Sequence, residues 1–274
     1  MNSSQVVCAL TIAGSDSGGG AGIQADLKTF AAHRVHGLSA IAALTAQHTR
    51  GVTAVHVPDT GFLRAQIDAC FDDFRIGAVK LGMLASAEVI LAAADALEHY
   101  RPAHVVLDPV MVATSGARLL EPAALAALRE RLLPLATLLT PNLPEAELLL
   151  GHPVTTQAAM QEACRSLLAA GARAVLLKGG HLEDGGDVID LLATSADAAI
   201  ESIRHPRLDL EAHGTGCTLA SAIAANLALG SDLSTACRDA SDYVHRALLG
   251  GYRPGRADMV VLDHFGAGAS GTAR

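Results

Sequence analysis

Aromatic side chains are scarce: among 274 residues there are five Phe, three Tyr and no Trp. The core must therefore be aliphatic, and the ring-stacking platforms that hold single-stranded nucleic acid are excluded. Lysine is scarcer still, with Lys28, Lys80 and Lys178 set against 17 arginines in a chain of net charge −8. The cations are scattered, so there is no basic footprint for DNA, RNA or an anionic membrane. The five cysteines (8, 70, 164, 217, 237) contain no Cys-x-x-Cys pair, which argues against a disulfide framework or structural zinc and for a reducing cytoplasm. The opening MNSSQVVCALTIAGSD lacks the blocks of a signal peptide, and the longest uncharged apolar stretch, Ala212 to Ser231, is too polar to span a bilayer. A soluble protein acting on a small ligand is expected, with 50% hydrophobic residues to build its core.

Short apolar runs recur with amphipathic segments between them. The runs are 6–14, 38–46, 52–57, 76–82, 104–110, 136–141, 174–180 and 187–192; the segments include 86–99, 121–134 and 157–170. This alternation predicts an α/β fold on a mostly parallel sheet, because continuously apolar strands are those buried on both faces. No linker or repeat divides the chain, so one domain over 1–265 is expected, followed by a frayed tail at 266–274. Ligands of open parallel sheets bind beyond the carboxyl ends of the strands. The candidate sites are therefore the segments just past each run.

GSDSGGGAG (14–22) follows the first run and leads into a helix over 23–33. No Gly-Lys-Ser/Thr closes it, so it is not a Walker loop. Gly20 to Ala25 fits the G-x-G-x-x-A dinucleotide fingerprint, but no acidic residue lies between Leu27 and Pro58 to hold a ribose. A turn needing positive φ accounts for one or two glycines and not for five among nine, so approach of the backbone to a ligand is expected, with Asp26 as a polar contact.

His213-Gly214-Thr215-Gly216-Cys217 precedes an apolar helix over 218–230. Amides and a dipole converging there make an anion hole, with Thr215 as N-cap the plainer alternative. The same field is expected to lower the thiol pKa of Cys217, unless that residue is a small buried hydrophobe. In Thr140-Pro141-Asn142-Leu143-Pro144-Glu145, Asn142 and Glu145 have capping-box spacing, and an Asn beside a carboxylate also suits hydrated magnesium. Lys178 is a candidate for pairing with nucleotide phosphates, whereas Lys80 is expected to neutralise a carboxylate.

Taken in order, AGSDSGGGAGIQADLKTF, AQHTRGV, KLGML, LDPVM, LLTPNLPEAELLLG, LLKGGH and HGTGCTLASAIAA resemble the hydroxymethylpyrimidine/phosphomethylpyrimidine kinases of thiamine biosynthesis, within the ribokinase-like kinases. The resemblance implies an α/β ribokinase-like three-layer sandwich with a central mostly parallel sheet, usually a homodimer. It also implies ATP, Mg2+ and two successive phosphorylations of a pyrimidine. Carried over, it puts Gly14, Asp26, Gln47, Met83 and Val110 around the pyrimidine and Gly214, Thr215, Gly216 and Cys217 at the reacting oxygen. Lys178, Asn142 and Thr215 would face ATP; Glu145, with Asp108 acting through water, would face magnesium. His48 and the Ser17-Gly18 pair depart from the usual family residues. Pyridoxal kinases share the fold, so pyridoxal or pyridoxine is an alternative acceptor. A dinucleotide-dependent oxidoreductase and a non-catalytic pyrimidine sensor are alternatives of other classes.

Overall fold

The computed structural model describes residues 6–111, 120–121, 123–182, 186–195 and 198–268. Two glycine-containing segments whose length and composition suit lids, 111–120 and 183–187, lie largely outside these residues, as do all residues beyond Gly268. Nine strands form one sheet: β1 (Cys8–Asp16), β2 (His36–His48), β3 (Gly51–His56), β4 (Ile76–Leu81), β5 (Val105–Leu107), β6 (Leu138–Leu139), β7 (Val175–Leu177), β8 (Val188–Ala193) and β9 (Glu201–His205). Their order is β3-β2-β1-β4-β5-β6-β7-β8-β9. From β2 to β7 the pairing is parallel; β3, β8 and β9 join antiparallel at the two edges. β10 (Ala212–His213) and β11 (Val260–Val261) make a separate parallel pair.

All eight apolar runs contain a strand. β9, β10 and β11 escape the hydrophobic pattern for a physical reason: ESIRH sends only Ile203 fully into the core, and the other two strands are two residues long.

The parallel strands alternate their side chains between two cores. Leu10, Ile12, Val79, Leu81, Val105 and Leu107 face one side, against α2 (Thr60–Asp73), α3 (Ala87–Tyr100), α5 (Leu143–Leu150) and α6 (Gln157–Ala169). Ala9, Ala78, Val106, Leu138 and Leu176 face the other, against α1 (Gly22–Ala32), α7 (Thr215–Ala228) and α8 (Leu233–Leu249). This is the three-layer ribokinase-like architecture. Every residue of α7 from Thr218 to Leu227 is buried, as an all-round apolar helix requires. The helix expected over 121–134 is irregular: α4 (Ala124–Ala127) widens into a π turn at Leu128–Leu132 and tightens at Leu133–Leu135, where Pro134 has no amide hydrogen to continue it. Residues 266–268, expected to belong to a frayed tail, are instead the end of the helix α9 (His264–Gly268).

One polar knot crosses the second core. Lys80 on β4 and Asp26 on α1 form an ion pair with Nζ 2.9 Å from either carboxylate oxygen, both side chains 0% exposed. Thr11 Oγ1 on β1 donates to the same carboxylate at 2.6 Å and Ser221 Oγ on α7 at 2.8 Å. Lys80 thus neutralises a carboxylate, as expected, and the carboxylate in turn holds its ammonium charged at pH values where lysine normally titrates. Breaking such a pair leaves an uncompensated buried charge. Lys80→Met is therefore expected to lower unfolding stability in urea by about 3–5 kcal/mol, and the double variant Asp26→Leu/Lys80→Met to regain most of it. A single variant as stable as the parent would show that the pair holds nothing together.

Candidate active site

A cavity of about 750 Å³ opens past the carboxyl ends of the parallel strands. Gly14, Gln47, Met83 and Val110 line one end, and Asp108, Asn142, Glu145, Lys178 and the segment from Gly214 to Cys217 line the middle. Val188, Leu210, Leu219, Val244 and Leu248 add apolar lining, beside the polar side chains of Asp190, His205, Arg207 and His245. Of the site residues that the resemblance carries over, all but Asp26 share this wall. Asp26 is a correction: it does not reach the cavity, because all its hydrogen-bonding capacity points into the buried knot with Lys80, Thr11 and Ser221.

The middle of the cavity is an amide cradle. α7 begins at Thr215, three residues earlier than expected, and its N-cap is Gly214, not Thr215. Gly214 has φ +84, and a Cβ there would lie 1.9 Å from the carbonyl oxygen of Gly20, so only glycine fits. Having no side chain, this N-cap cannot satisfy the amides of the first turn, and among the described residues no side chain caps them. The first-turn N–H groups of an α-helix have no partner within the helix, so they and the positive dipole end are left to face an anion.

Cys217 corrects a second expectation. Its thiol pKa is pushed up to about 11 because burial among packed atoms desolvates it and Asp26 and Asp108 repel a negative sulfur. Lys80 and a hydrogen bond from the Gly22 amide pull the other way and are outweighed. The residue lines the cavity as a neutral thiol at physiological pH, not as a thiolate.

Three charged groups sit beside the cradle. Lys178 Nζ lies 3.1 Å from Asp108 Oδ1 and 3.9 Å from Glu145 Oε2, and a Cβ on Gly216 would be 3.1 Å from the same ammonium. The capping box is formed as its spacing predicts: Asn142 Oδ1 accepts from the Glu145 amide at 2.9 Å, and Glu145 Oε2 accepts from the Asn142 amide at 2.8 Å. Burial raises the Glu145 carboxyl pKa to about 7, with Asp108 adding to the effect and Lys178 opposing it. Two buried carboxylates thus share one ammonium. That surplus of negative oxygen suits a hydrated divalent cation, which binds through one or two carboxylates and keeps its waters. Among the described residues no cluster of three or more His, Cys, Asp and Glu gathers as metal ligands.

The glycine loop holds a surprise. Glycines 18 to 20 do not line the cavity; the anion their loop binds is its own Asp16, whose Oδ1 accepts from the Gly18 amide at 2.7 Å and whose Oδ2 accepts from Gly20 at 3.0 Å and Ala21 at 2.9 Å. Although burial works against its charge, the His213 hydrogen bond and these amides keep the Asp16 carboxyl below its ordinary pKa. A dinucleotide pyrophosphate would need those same amides, so the oxidoreductase reading of this loop fails. The signal for Asp16 was in the sequence, as an acid followed at once by a run of amides free of side chains. Asp190 and Arg207 were also missed. Asp190, interrupting the apolar pattern of β8, accepts from the Gly179 amide at 2.9 Å, and burial pushes its carboxyl up to about 6. Arg207 donates to the carbonyls of Gly180 and Leu182 at 2.9 and 2.8 Å.

Glu145 generates a pH prediction. Its carboxyl titrates near 7 when folded against 4.5 when unfolded, so the stability it contributes is present below pH 4.5 and is lost as pH rises through about 7. Glu145→Gln retains a capping side chain and is expected to be more stable than the parent at pH 8, by on the order of 2–3 kcal/mol. The difference should shrink below pH 5. Urea unfolding at both pH values checks this; a variant less stable at pH 8 would refute it.

Comparison with known proteins agrees with this geometry. A family model described as phosphomethylpyrimidine kinase matches residues 16–261. The chain is 51% identical over 244 residues to the hydroxymethylpyrimidine/phosphomethylpyrimidine kinase of Rhizobium meliloti (strain 1021), covering 88% of this chain and 90% of that protein. It is 52% identical over 240 residues to the thiamine biosynthesis bifunctional protein ThiED of Geobacter sulfurreducens, covering 87% of this chain and 48% of that protein. The chain thus spans about half the length of this bifunctional relative. An ADP complex of Bacillus subtilis pyridoxal kinase matches with a TM-score of 0.87 at 34% identity, over 96% of this chain and 98% of that one. An amide cradle beside a lysine and two carboxylates is phosphotransferase architecture, and the chain belongs to the phosphomethylpyrimidine kinase family.

Proposed function

We propose that this chain transfers the γ-phosphoryl group of ATP first to the hydroxymethyl oxygen of 4-amino-5-hydroxymethyl-2-methylpyrimidine and then to the resulting monophosphate, in thiamine biosynthesis. The observation that carries this reading is the uncapped start of α7, which faces a small pocket walled by Gly14, Gln47, Met83 and Val110. Met83 and Val110 pack with Ala43 and Ala85 in a small aliphatic cluster, which gives a flat ring an apolar seat, and Gln47 supplies hydrogen bonds for its polar edge. The apolar lining of Val188, Leu210, Leu219, Val244 and Leu248 takes the base of ATP, and Lys178, Asn142 and Thr215 take its phosphates. Glu145, helped by Asn142, and Asp108 acting through water would hold Mg2+; once bound, that ion would supply charge neutralisation along the triphosphate.

The alcohol oxygen forms a bond to the γ-phosphorus while the bond from that phosphorus to ADP breaks. Such a loose transition state asks the protein for position and for donors around three oxygens. The amides of residues 215–217 and the Lys178 ammonium provide them. The hydroxyl proton leaves late, to an oxygen of the transferred phosphoryl group and from there to water, so a thiol that titrates near 11 need not be its acceptor.

The long match to a pyridoxal kinase supports pyridoxal or pyridoxine as a second acceptor of the same site. The exposed β2–β3 edge of the sheet, with Leu44 on β2, Val55 on β3 and Val57 just past it at 41%, 45% and 38% exposure, supports a homodimer built on that edge. We place the protein in the cytoplasm, where its five free cysteines stay reduced.

An ADP-release assay over hydroxymethylpyrimidine, its monophosphate and pyridoxine, with and without Mg2+, tests the assignment: turnover is expected with the two pyrimidines and only with the ion. Cys217→Ala is expected to lower kcat by less than about tenfold, against the 10²–10⁴-fold usual for removing a general base. Gly214→Ala, which drives a methyl group into the Gly20 carbonyl, is expected to abolish turnover. A Cys217→Ala loss beyond about a hundredfold would restore the base role.

A further inference from the structure

Asp16 and His213 have no part in the chemistry above, yet they join its two halves. Asp16 is 3% exposed, and the Oδ2 atom that accepts from Gly20 and Ala21 also lies 3.1 Å from His213 Nε2. The two loops touch elsewhere: a Cβ on Gly20 would be 2.8 Å from His213 Cδ2. Lys28 on α1 reaches back to the carbonyl of Gly19 at 2.8 Å. The loop that carries one wall of the acceptor pocket is thereby fastened to the residue just before the cradle, although the two lie 197 positions apart in sequence.

Proton accounting gives this fastening a direction. His213 Nε2 also lies 2.9 Å from the amide nitrogen of Gln47, and Gln47 Oε1 lies 3.0 Å from Thr45 Oγ1. Thr45 has one hydroxyl proton, and the carbonyl of Ser15 takes it at 2.9 Å. One ring nitrogen cannot donate to Asp16 and accept from Gln47 at once. A half-turn of the Gln47 amide, exchanging its oxygen and nitrogen, settles both conflicts. Gln47 then donates to Thr45, and the proton on His213 Nε2 is shared by Asp16 and Gln47 Oε1. The chain of hydrogen bonds runs unbroken from the pocket wall to the cradle.

We propose that Asp16 and His213 are positioning residues that latch the acceptor loop in register with the amide cradle, so that the bound alcohol, and not water, stands in line with the travelling phosphoryl group. The inference rests on the kinase reading above. Misplacement by about 1 Å is enough to cost on the order of 10²-fold in rate.

The experiment measures ADP and phosphorylated pyrimidine together, for the full chain and for His213→Ala, His213→Gln and Asp16→Asn. The parent is expected to release one ADP per product. For His213→Ala, kcat should fall by about 10- to 100-fold with KM for ATP within about threefold, and ADP should exceed product. His213→Gln places an amide N–H near the position of Nε2 and is expected to recover kcat to within about fivefold of the parent. Asp16→Asn, which turns an acceptor into a donor facing Gly20, Ala21 and His213, should uncouple more strongly; if it does not fold, the two His213 variants decide alone. A His213→Ala enzyme with one ADP per product and kcat within twofold of the parent would overturn the latch, as would a His213→Gln enzyme no better than His213→Ala. If the parent phosphorylates pyridoxal and no pyrimidine, the pyrimidine assignment has failed and the same ratio is read on pyridoxal.

Discussion

The site depends on an ion pair that no substrate touches. Asp26 and Lys80 sit with Thr11 and Ser221 inside the core, tying α1, β4, β1 and α7 together at one point. Two buried charges are a poor source of net stability, because their desolvation consumes most of what their attraction gives. Their value here is registration. Ser221 follows Cys217 by four residues, so the two side chains share one face of α7. Fixing Ser221 to Asp26 therefore sets the rotation of the helix, and with it the direction in which Cys217 and the first-turn amides point. A hydrophobic contact at that place would tolerate sliding; a carboxylate saturated by three side-chain donors does not.

Above the pair the problem becomes the management of negative charge. A site that receives a triphosphate needs donors left open, yet open donors and surplus carboxylates are costly in an interior. The protein settles the two demands at different places. The glycine loop after β1 closes its amides on its own Asp16, so it presents a wall and not an anion hole. The start of α7 leaves its amides open because Gly214 has no capping atom. Asp108 and Glu145 are held by a single lysine, and burial, with Asp108 adding to it, raises the pKa of Glu145 despite that lysine. Burial, joined by repulsion from Asp26 and Asp108, keeps the Cys217 thiol protonated.

Much of this was legible in the residues. The eight apolar runs found their strands, because burial on both faces of a parallel sheet leaves an unambiguous pattern; β9 at the edge, with one core-facing residue, leaves none. The capping box of Asn142 and Glu145 was legible because it is local, needing only a spacing of three. Cys217 failed for the opposite reason. The helix field acting on it is local and visible in sequence, whereas the desolvation and the two aspartates that win arrive from other elements. Asp26 failed likewise: nothing in its own helix shows that Lys80 lies 2.9 Å away. Five glycines among nine residues were taken as backbone approaching a ligand; the loop amides close instead on Asp16, which lies two residues from the first glycine and is part of the chain.

The choice of lysine over arginine follows from the same geometry. All three lysines serve the site: Lys28 on the Gly19 carbonyl, Lys80 on Asp26 and Lys178 on Asp108. The arginines that form ion pairs lie on the exposed flanks, such as Arg131 with Asp95 and Glu98. A guanidinium is a planar fork that demands bidentate partners and space on both sides. Lys80 meets both oxygens of a carboxylate but lacks the space, since it is fully enclosed and a Cβ on Gly82 would already stand 2.7 Å from its Nζ. Lys178 must serve two carboxylates and leave room for phosphate, which a compact point charge on a flexible stem can do and a rigid fork cannot. The scarcity of lysine in the composition is thus a selection by position: the residue is kept for the places where a single small charge has to be set down among atoms that cannot move.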